Sequence, residues 1–439
     1  MKLTPLQPWI ETKIGYPVGT LTQEALEEYQ LRRIRATLAH VKGKSIFYQR
    51  KLRNTPAEIS SLEEFRQVPF TNADDLRHGG LQMVCVSQGD INRVVTLDTS
   101  GTSGTPKRLY FTREDQELTV DFFGVGMSSL VDPGDRVLIL LPGETPGSVG
   151  DLLRLGLERM GIVALKHGPV KDPAETLARI RGENINCLVG VPAHFLGLLR
   201  REQENITEPP LKLKSVLLST DYVPAAITRQ LKAVWDCEVF NHYGMTEMGL
   251  GGGVSCGAQR GYHLREADLY FEIVDPGSGE PTLEGETGEV VFTTLTRMGM
   301  PLVRYRTGDL SRFIPGECPC GTQLKTMEFI SQRVEGFVMV GGQPLTIPEL
   351  DEALFSLPEL INYSAAVTHH GDKDLLEMDV FMNKLSARSE IEVRDAINSI
   401  SAIRLAAEAG TLTIDCALKE GYPAWSGSML KRKILIKFP

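Results

Sequence analysis

The chain has no apolar run that approaches the roughly 18 residues a membrane span needs. Residues 1–16 lack the apolar core of a secretory leader, so no signal peptide is expected. Positive charge is not in excess: 47 Lys and Arg stand against 56 Asp and Glu, a formal net charge of −9. Nonspecific grip on nucleic acid needs a basic face, so a nucleic-acid partner is not expected. Cysteine is sparse and odd in number, seven residues, which does not suggest a disulfide framework. These absences together predict a cytoplasmic chain with no membrane partner. At 439 residues the chain exceeds one typical core, so two or three domains are expected.

What is present is concentrated in one stretch, Thr99-Ser100-Gly101-Thr102-Ser103-Gly104-Thr105-Pro106-Lys107. Its glycines let backbone N–H groups turn toward a ligand, its hydroxyls suit anionic oxygens and its lysine adds a point charge. Such a loop suits a polyphosphate. It is not a Walker A loop, which ends in Gly-Lys-Ser/Thr and opens a helix; here Pro106 and Arg108 replace the flanking residues. Arg93–Leu97 before it and Arg108–Thr112 after it read as strands, so the stretch is expected to join two strands. The alternative is a flexible Gly/Ser/Thr linker.

Residues 20–53 read as helical, with Leu26, Tyr29, Leu31, Ile34, Leu38 and Val41 at mixed three- and four-residue steps and charges between. From about 115 to 310 helix and strand alternate. Strands are expected at 136–141, 162–165, 187–191 and 215–219, with helices between, which predicts a mainly parallel sheet. Residues 268–315 turn β-rich, with strands expected at Leu269–Val274, Gly288–Thr293 and Leu302–Tyr305. A linker is expected near 331–336. The last hundred residues read as a small α+β domain with helices at 348–355 and 389–403. The fold class is therefore α/β: a large N-terminal part with βαβ units and a β-rich region, plus a small α+β C-terminal domain.

The nine-residue loop resembles the phosphate loop of adenylate-forming enzymes, the superfamily of acyl-CoA synthetases, peptide-synthetase adenylation domains and luciferases. Asn241-His242-Tyr243-Gly244-Met245-Thr246-Glu247 and Tyr305-Arg306-Thr307-Gly308-Asp309-Leu310 resemble two further motifs of that superfamily, in the same order. Phe47-Tyr48-Gln49-Arg50, Val68-Pro69-Phe70-Thr71 and the following Asp74-Asp75-Leu76 resemble the N-terminal region of phenylacetate–CoA ligases. The resemblance implies an ATP-dependent carboxylate–CoA ligase working through an acyl-adenylate on an aryl or other small carboxylic acid. It implies ATP, Mg²⁺ and coenzyme A as cofactors. Relatives are often dimers, which leaves a homodimer open; the residues themselves do not set the oligomeric state. It also implies a division into an AMP-binding domain, 1–332, and a mobile C-terminal lid, 333–439.

Residue by residue, the resemblance assigns Thr99–Thr105 and Lys107 to the phosphates. Tyr243, with His242 and Gly244 beside it, falls near the adenine. Thr246 meets the α-phosphate, Glu247 helps bind Mg²⁺ and Asp309 takes the ribose hydroxyls. Arg333 would reach the nucleotide from the linker. Ser219-Thr220-Asp221 stands where relatives carry an adenine-side Gly-Ala-Glu. His194 borders the acyl pocket in relatives; neither it nor His242 is assigned a catalytic role. Relatives end in a Gly-Lys pair whose lysine serves adenylation, but here Ser428 holds that place, and Lys431 or Lys433 is the substitute. The alternative is that both lysines are solvated tail charges. Thr246, Glu247 and Lys431 are the catalytic candidates.

Cys318-Pro319-Cys320-Gly321, with Cys256 and His263 upstream, offers three thiols and an imidazole, a donor set that suits tetrahedral Zn²⁺ in a structural role. The alternative is four reduced, unliganded side chains. Two other functions stay open. An adenylyltransferase, like the deazaflavin-coenzyme synthetases that resemble this branch, would use no coenzyme A. A noncatalytic nucleotide-binding protein would explain Ser428.

Overall fold

The structure is a computed structural model and describes residues 2–56, 58–97, 105–204, 208–371, 373–423 and 431–437. The chain divides into two compact units. One comprises Met1–Pro133, Gly143–Ile162 and Phe240–Ile330; the other comprises Gly134–Pro142, Val163–Val239 and Ser331–Pro439.

In the first unit the helix Gln23–Lys44 buries Leu26, Tyr29, Ile34, Leu38 and Val41 of the stripe expected from the sequence, while Leu31 stays half-buried beside it. Thr22 caps its start, and Ser45 ends it while capping the next helix, Ile46–Lys51. Strands Arg93–Leu97 and Lys107–Phe111 pair antiparallel with Leu97 opposite Lys107. The glycine- and hydroxyl-rich stretch therefore connects the two strands of a hairpin. Thr99, Ser100, Gly101, Thr102, Ser103 and Gly104 lie outside the described residues.

Three antiparallel strands, Leu269–Val274, Gly288–Thr294 and Tyr305–Ser311, form the β-rich region. The third begins at Tyr305, where the sequence led us to expect a strand ending. Arg304 is the cause: its φ of 45° breaks the extended path just before Tyr305. Its buried guanidinium binds both carboxylate oxygens of Glu272, at 3.1 and 3.0 Å, and donates to the Arg66 and Val68 carbonyls. The Tyr48 hydroxyl accepts from the Val303 N–H at 3.0 Å and meets the Thr71 hydroxyl at 3.1 Å. The N–H of Thr71 donates to the Arg304 carbonyl and its own carbonyl accepts from Arg306. The Phe-Tyr and Pro-Phe-Thr elements thus strap down the strand that carries Asp309.

In the second unit Arg136–Ile139 pairs in parallel with Val163–Lys166 and with Cys187–Gly190, which pairs in parallel with Ser215–Leu218. Cys187–Gly190 and Ser215–Leu218 are buried throughout, as a sheet covered on both faces requires. A second sheet runs in the order Leu412–Glu420, Lys373–Met382, Leu360–His370, Ile434–Lys437. The last of these strands was not foreseen. The predicted helix 389–403 is two helices, Ser389–Asn398 and Ser401–Glu408. The Ser399 N–H closes the first on Asp395, and the buried Ile400 turns extended, aiming Ile403 and Ala406 into the core.

Candidate active site

Lys107, the first residue of its strand, points its ammonium at Glu247, whose Oε1 lies 2.5 Å from Nζ. The two are 140 residues apart in sequence. Glu247 is only 3 % exposed, so its charge rests on partners rather than water. Tyr305 supplies a second, its hydroxyl 3.3 Å from the same oxygen. The Glu247 carbonyl accepts from Arg297 Nη1 at 2.8 Å.

The turn that carries Glu247 demands a glycine. A Cβ on Gly244 would stand 2.0 Å from the Leu250 carbonyl oxygen, well inside contact distance. The chain then enters the short 3₁₀ turn Thr246–Met248. Tyr243, just before, is buried against Tyr262, ring centroids 5.6 Å apart, and its hydroxyl donates to Asp309 Oδ2 at 3.0 Å. Burial, then the Asp309 charge, holds the Tyr243 phenol well above its ordinary value. His242 lies among Phe122 and Phe123, and burial pushes its imidazole down to about 4.

Arg297 was not foreseen. It lies buried, its guanidinium 4.4 Å above the Phe111 ring, and its Nε and Nη2 have no hydrogen-bond partner. Burial lowers its pKa, opposed by Asp115 and Glu247. Thr-Leu-Thr-Arg reads as a strand end, and nothing local marks its arginine as a companion of Glu247.

Ser219, Thr220, Asp221 and Arg333 belong to the second unit. Thr220 sits at φ 82°, a left-handed backbone that glycine adopts freely and a β-branched residue does not. The Asp221 carboxylate accepts from the backbone N–H and the Nε of Arg432, both at 3.2 Å. Arg333 is exposed on the short strand Gln332–Arg333. Lys431 and Lys433 are exposed, and Ser428 lies outside the described residues. His194 is buried, which drives its imidazole down to about 4, with Arg432 adding to the shift.

Cys256, His263, Cys318 and Cys320 are all buried, and their donor atoms lie within 4.8 Å of one another. Cys256 Sγ is 3.7 Å from Cys318 Sγ and 3.3 Å from His263 Nε2, which is 3.5 Å from Cys320 Sγ. Tetrahedral Zn²⁺, with bonds of about 2.3 Å to sulfur and 2.0 Å to nitrogen, spaces sulfurs about 3.8 Å apart and sulfur from nitrogen about 3.5 Å. The four side chains fit that ion. Gly321, at φ 82°, closes the turn that brings both thiols of Cys-Pro-Cys to one side, its N–H on the Cys318 carbonyl. Four protein donors leave no open position for chemistry.

Residues 20–298 match the family model of AMP-binding enzymes. The chain is 30% identical over 377 residues to the phenylacetate–coenzyme A ligase of Thermus thermophilus, covering 82% of each chain. It is 25% identical to that of Escherichia coli, over 84% of this chain and 85% of the relative. Its fold is similar to 2-hydroxyisobutyryl-CoA ligase in the postadenylation state, with a TM-score of 0.78 at 19% identity, over 96% of this chain and 91% of the other. The chain belongs to the AMP-binding enzyme family, in its phenylacetate–coenzyme A ligase-like branch.

Proposed function

We propose that this protein is an ATP-dependent carboxylate–CoA ligase acting on an aryl or other small carboxylic acid. A carboxylate oxygen attacks the α-phosphorus of ATP, pyrophosphate leaves and an acyl-adenylate forms. The coenzyme A thiolate then attacks the acyl carbon and AMP leaves. The observation that carries the reading is the meeting of Lys107, the last residue of the hydroxyl-rich stretch, with the buried Glu247.

In this reading residues 99–105 and Lys107 hold the phosphates, and their donors neutralise charge that builds as pyrophosphate departs. Asp309, oriented by Tyr243, accepts the ribose hydroxyls. Glu247 is a hard oxygen donor suited to Mg²⁺, which would screen the phosphate charge when bound. Thr246 serves the α-phosphate, His242 and Gly244 are adenine-side residues of the first unit, and Ser219, Thr220 and Asp221 are nucleotide-binding residues of the second. Arg333 serves the nucleotide and Lys431 the adenylating step, both from the 333–439 domain. Cys256, His263, Cys318 and Cys320 hold a structural Zn²⁺. The protein works as a cytoplasmic homodimer; among the described residues no helix is long and apolar enough to cross a membrane.

The test is a screen of aryl and short-chain acids for AMP release, with and without coenzyme A. Acid-dependent AMP that rises with coenzyme A supports the ligase. AMP release indifferent to coenzyme A favours an adenylyltransferase, and no release with tight ATP binding favours a noncatalytic role.

A further inference from the structure

Arg432 stands between two exposed lysines in a tail that reads as solvated charge, yet its side chain is only 6 % exposed. Its Nη1 binds Asp351 Oδ1 at 2.6 Å, its Nε binds Asp221 Oδ2 at 3.2 Å, and its plane lies 4.6 Å from the Phe355 ring. Its backbone N–H also meets Asp221 Oδ2, so the aspartate grips main chain and side chain together. Asp351 Oδ1 accepts the Tyr363 hydroxyl at 2.6 Å as well.

Two features set this cluster apart from an ordinary structural cross-link. Arg432 Nη2 and Asp351 Oδ2 are buried without hydrogen-bond partners. Apolar side chains would fill such a place at no loss of stability, so a half-satisfied ion cluster is poor structural cement. Its location is also specific. Asp221 ends the Ser219-Thr220-Asp221 loop, whose backbone is held in a left-handed turn at Thr220. Arg432 follows Lys431 directly and lies two residues before the strand Ile434–Lys437, which pairs in parallel with Leu360–His370. The bridge therefore fixes the path of the tail at the residue next to Lys431.

We propose that Arg432 is a positioning residue for the acid-adenylating step. Its bridge to Asp221 lays the tail, and Lys431 with it, along the 219–221 loop, and it takes no part in the thioester step. The inference rests on the ligase reading and on Lys431 as the lysine of adenylation. The two steps need different groups presented at the reacting atoms, and a bridge that serves one of them separates them kinetically.

The test measures the steps apart, by acid-dependent pyrophosphate exchange and by thioester formation from supplied acyl-adenylate. Arg432→Gln lowers the exchange rate by about 30-fold or more with little change in KM for ATP, while the thioester step changes less than about threefold. Arg432→Lys recovers part of the exchange. Asp351→Asn, which keeps the Asp221 bridge and a neutral acceptor for Arg432, stays within about threefold of the parent in both steps. Should Arg432→Gln fail to fold, Asp221→Asn is read in its place and shows the same loss of exchange.

Backbone hydrogen exchange over residues 431–437 reports on the bridge without activity, and it quickens by about tenfold or more in Arg432→Gln and Asp221→Asn. Equal losses in both steps, or unchanged hydrogen exchange in the variants, overturn the proposal. A parent enzyme that performs neither step with any acid refutes the ligase reading instead, and hydrogen exchange still decides whether the bridge holds the tail.

Discussion

The Tyr243 hydroxyl donates to Asp309 Oδ2 at 3.0 Å, across 66 residues of sequence, and both side chains are buried. Two motifs that look independent in the sequence are one unit in the fold. The aromatic of the first holds the carboxylate of the second in a fixed orientation.

Removing that donor tests the relationship. Tyr243→Phe keeps the packing on Tyr262 and leaves Asp309 without the phenol. A hydrogen bond to a charged group contributes about 1.5–3 kcal/mol, so KM for ATP is expected to rise about tenfold or more. Asp309→Asn is expected to raise it further. Unchanged ATP affinity in both variants, from equilibrium binding, contradicts a ribose role for Asp309.

Glu247→Gln removes the charge that faces Lys107 and keeps the side chain's shape. Loss of one charge-stabilising group at a reacting phosphate typically costs about 10²–10³ in rate. The adenylating step is expected to slow by that factor, with a raised Mg²⁺ requirement in a titration of pyrophosphate exchange. The measured melting temperature guards against misfolding, since Lys107 is left without its carboxylate.

The cysteine–histidine cluster predicts one zinc ion per chain by metal analysis of the purified protein. Stripping it with a strong chelator, or replacing Cys318 by Ser, is expected to lower the melting temperature by about 5 °C or more, because site formation is coupled to folding. Metal-free protein of unchanged stability contradicts the assignment.

Buried titrating groups oppose one another in the pH dependence of stability. Burial lowers His194 and His242 to about 4. The unfolded chain then binds more protons, so their contribution is intact above about 6.5 and is lost as pH falls toward 4. Burial raises Glu266 to about 7. There the folded state holds the proton, and stability is lost as pH rises from about 4.5 through 7. Glu266→Gln is therefore expected to gain on the parent with rising pH, by up to about 3 kcal/mol at pH 8, while His194→Gln gains as pH falls. Urea midpoints between pH 5 and 8 check both signs, and parallel curves for parent and variants contradict them.

Much of this was legible because the chemistry is local. Gly, Ser and Thr between two strand-like runs, Arg93–Leu97 and Arg108–Thr112, marked the connection before Lys107, and donor type alone marked Cys256, His263, Cys318 and Cys320. What stayed hidden was long-range or masked by composition. Lys107 and Glu247 meet across 140 residues, which no spacing rule reaches. Arg297 acquires its meaning only from its bond to the Glu247 carbonyl and its seat over the Phe111 ring. Arg432 reads as one more tail cation until Asp221 and Asp351 close on it. The apolar periodicity through 389–403 concealed the break at Ile400, since a buried isoleucine suits a helix and a turn into the core equally well.

The 99–107 stretch is expected to grip the triphosphate of ATP. A crystal structure with Mg²⁺ and a non-hydrolysable ATP analogue decides the matter. The β- and γ-phosphates are expected on residues 99–105 and Lys107, with the ribose hydroxyls on Asp309. Phosphates lodged elsewhere, with residues 99–105 bare and the sugar away from Asp309, would rule that grip out.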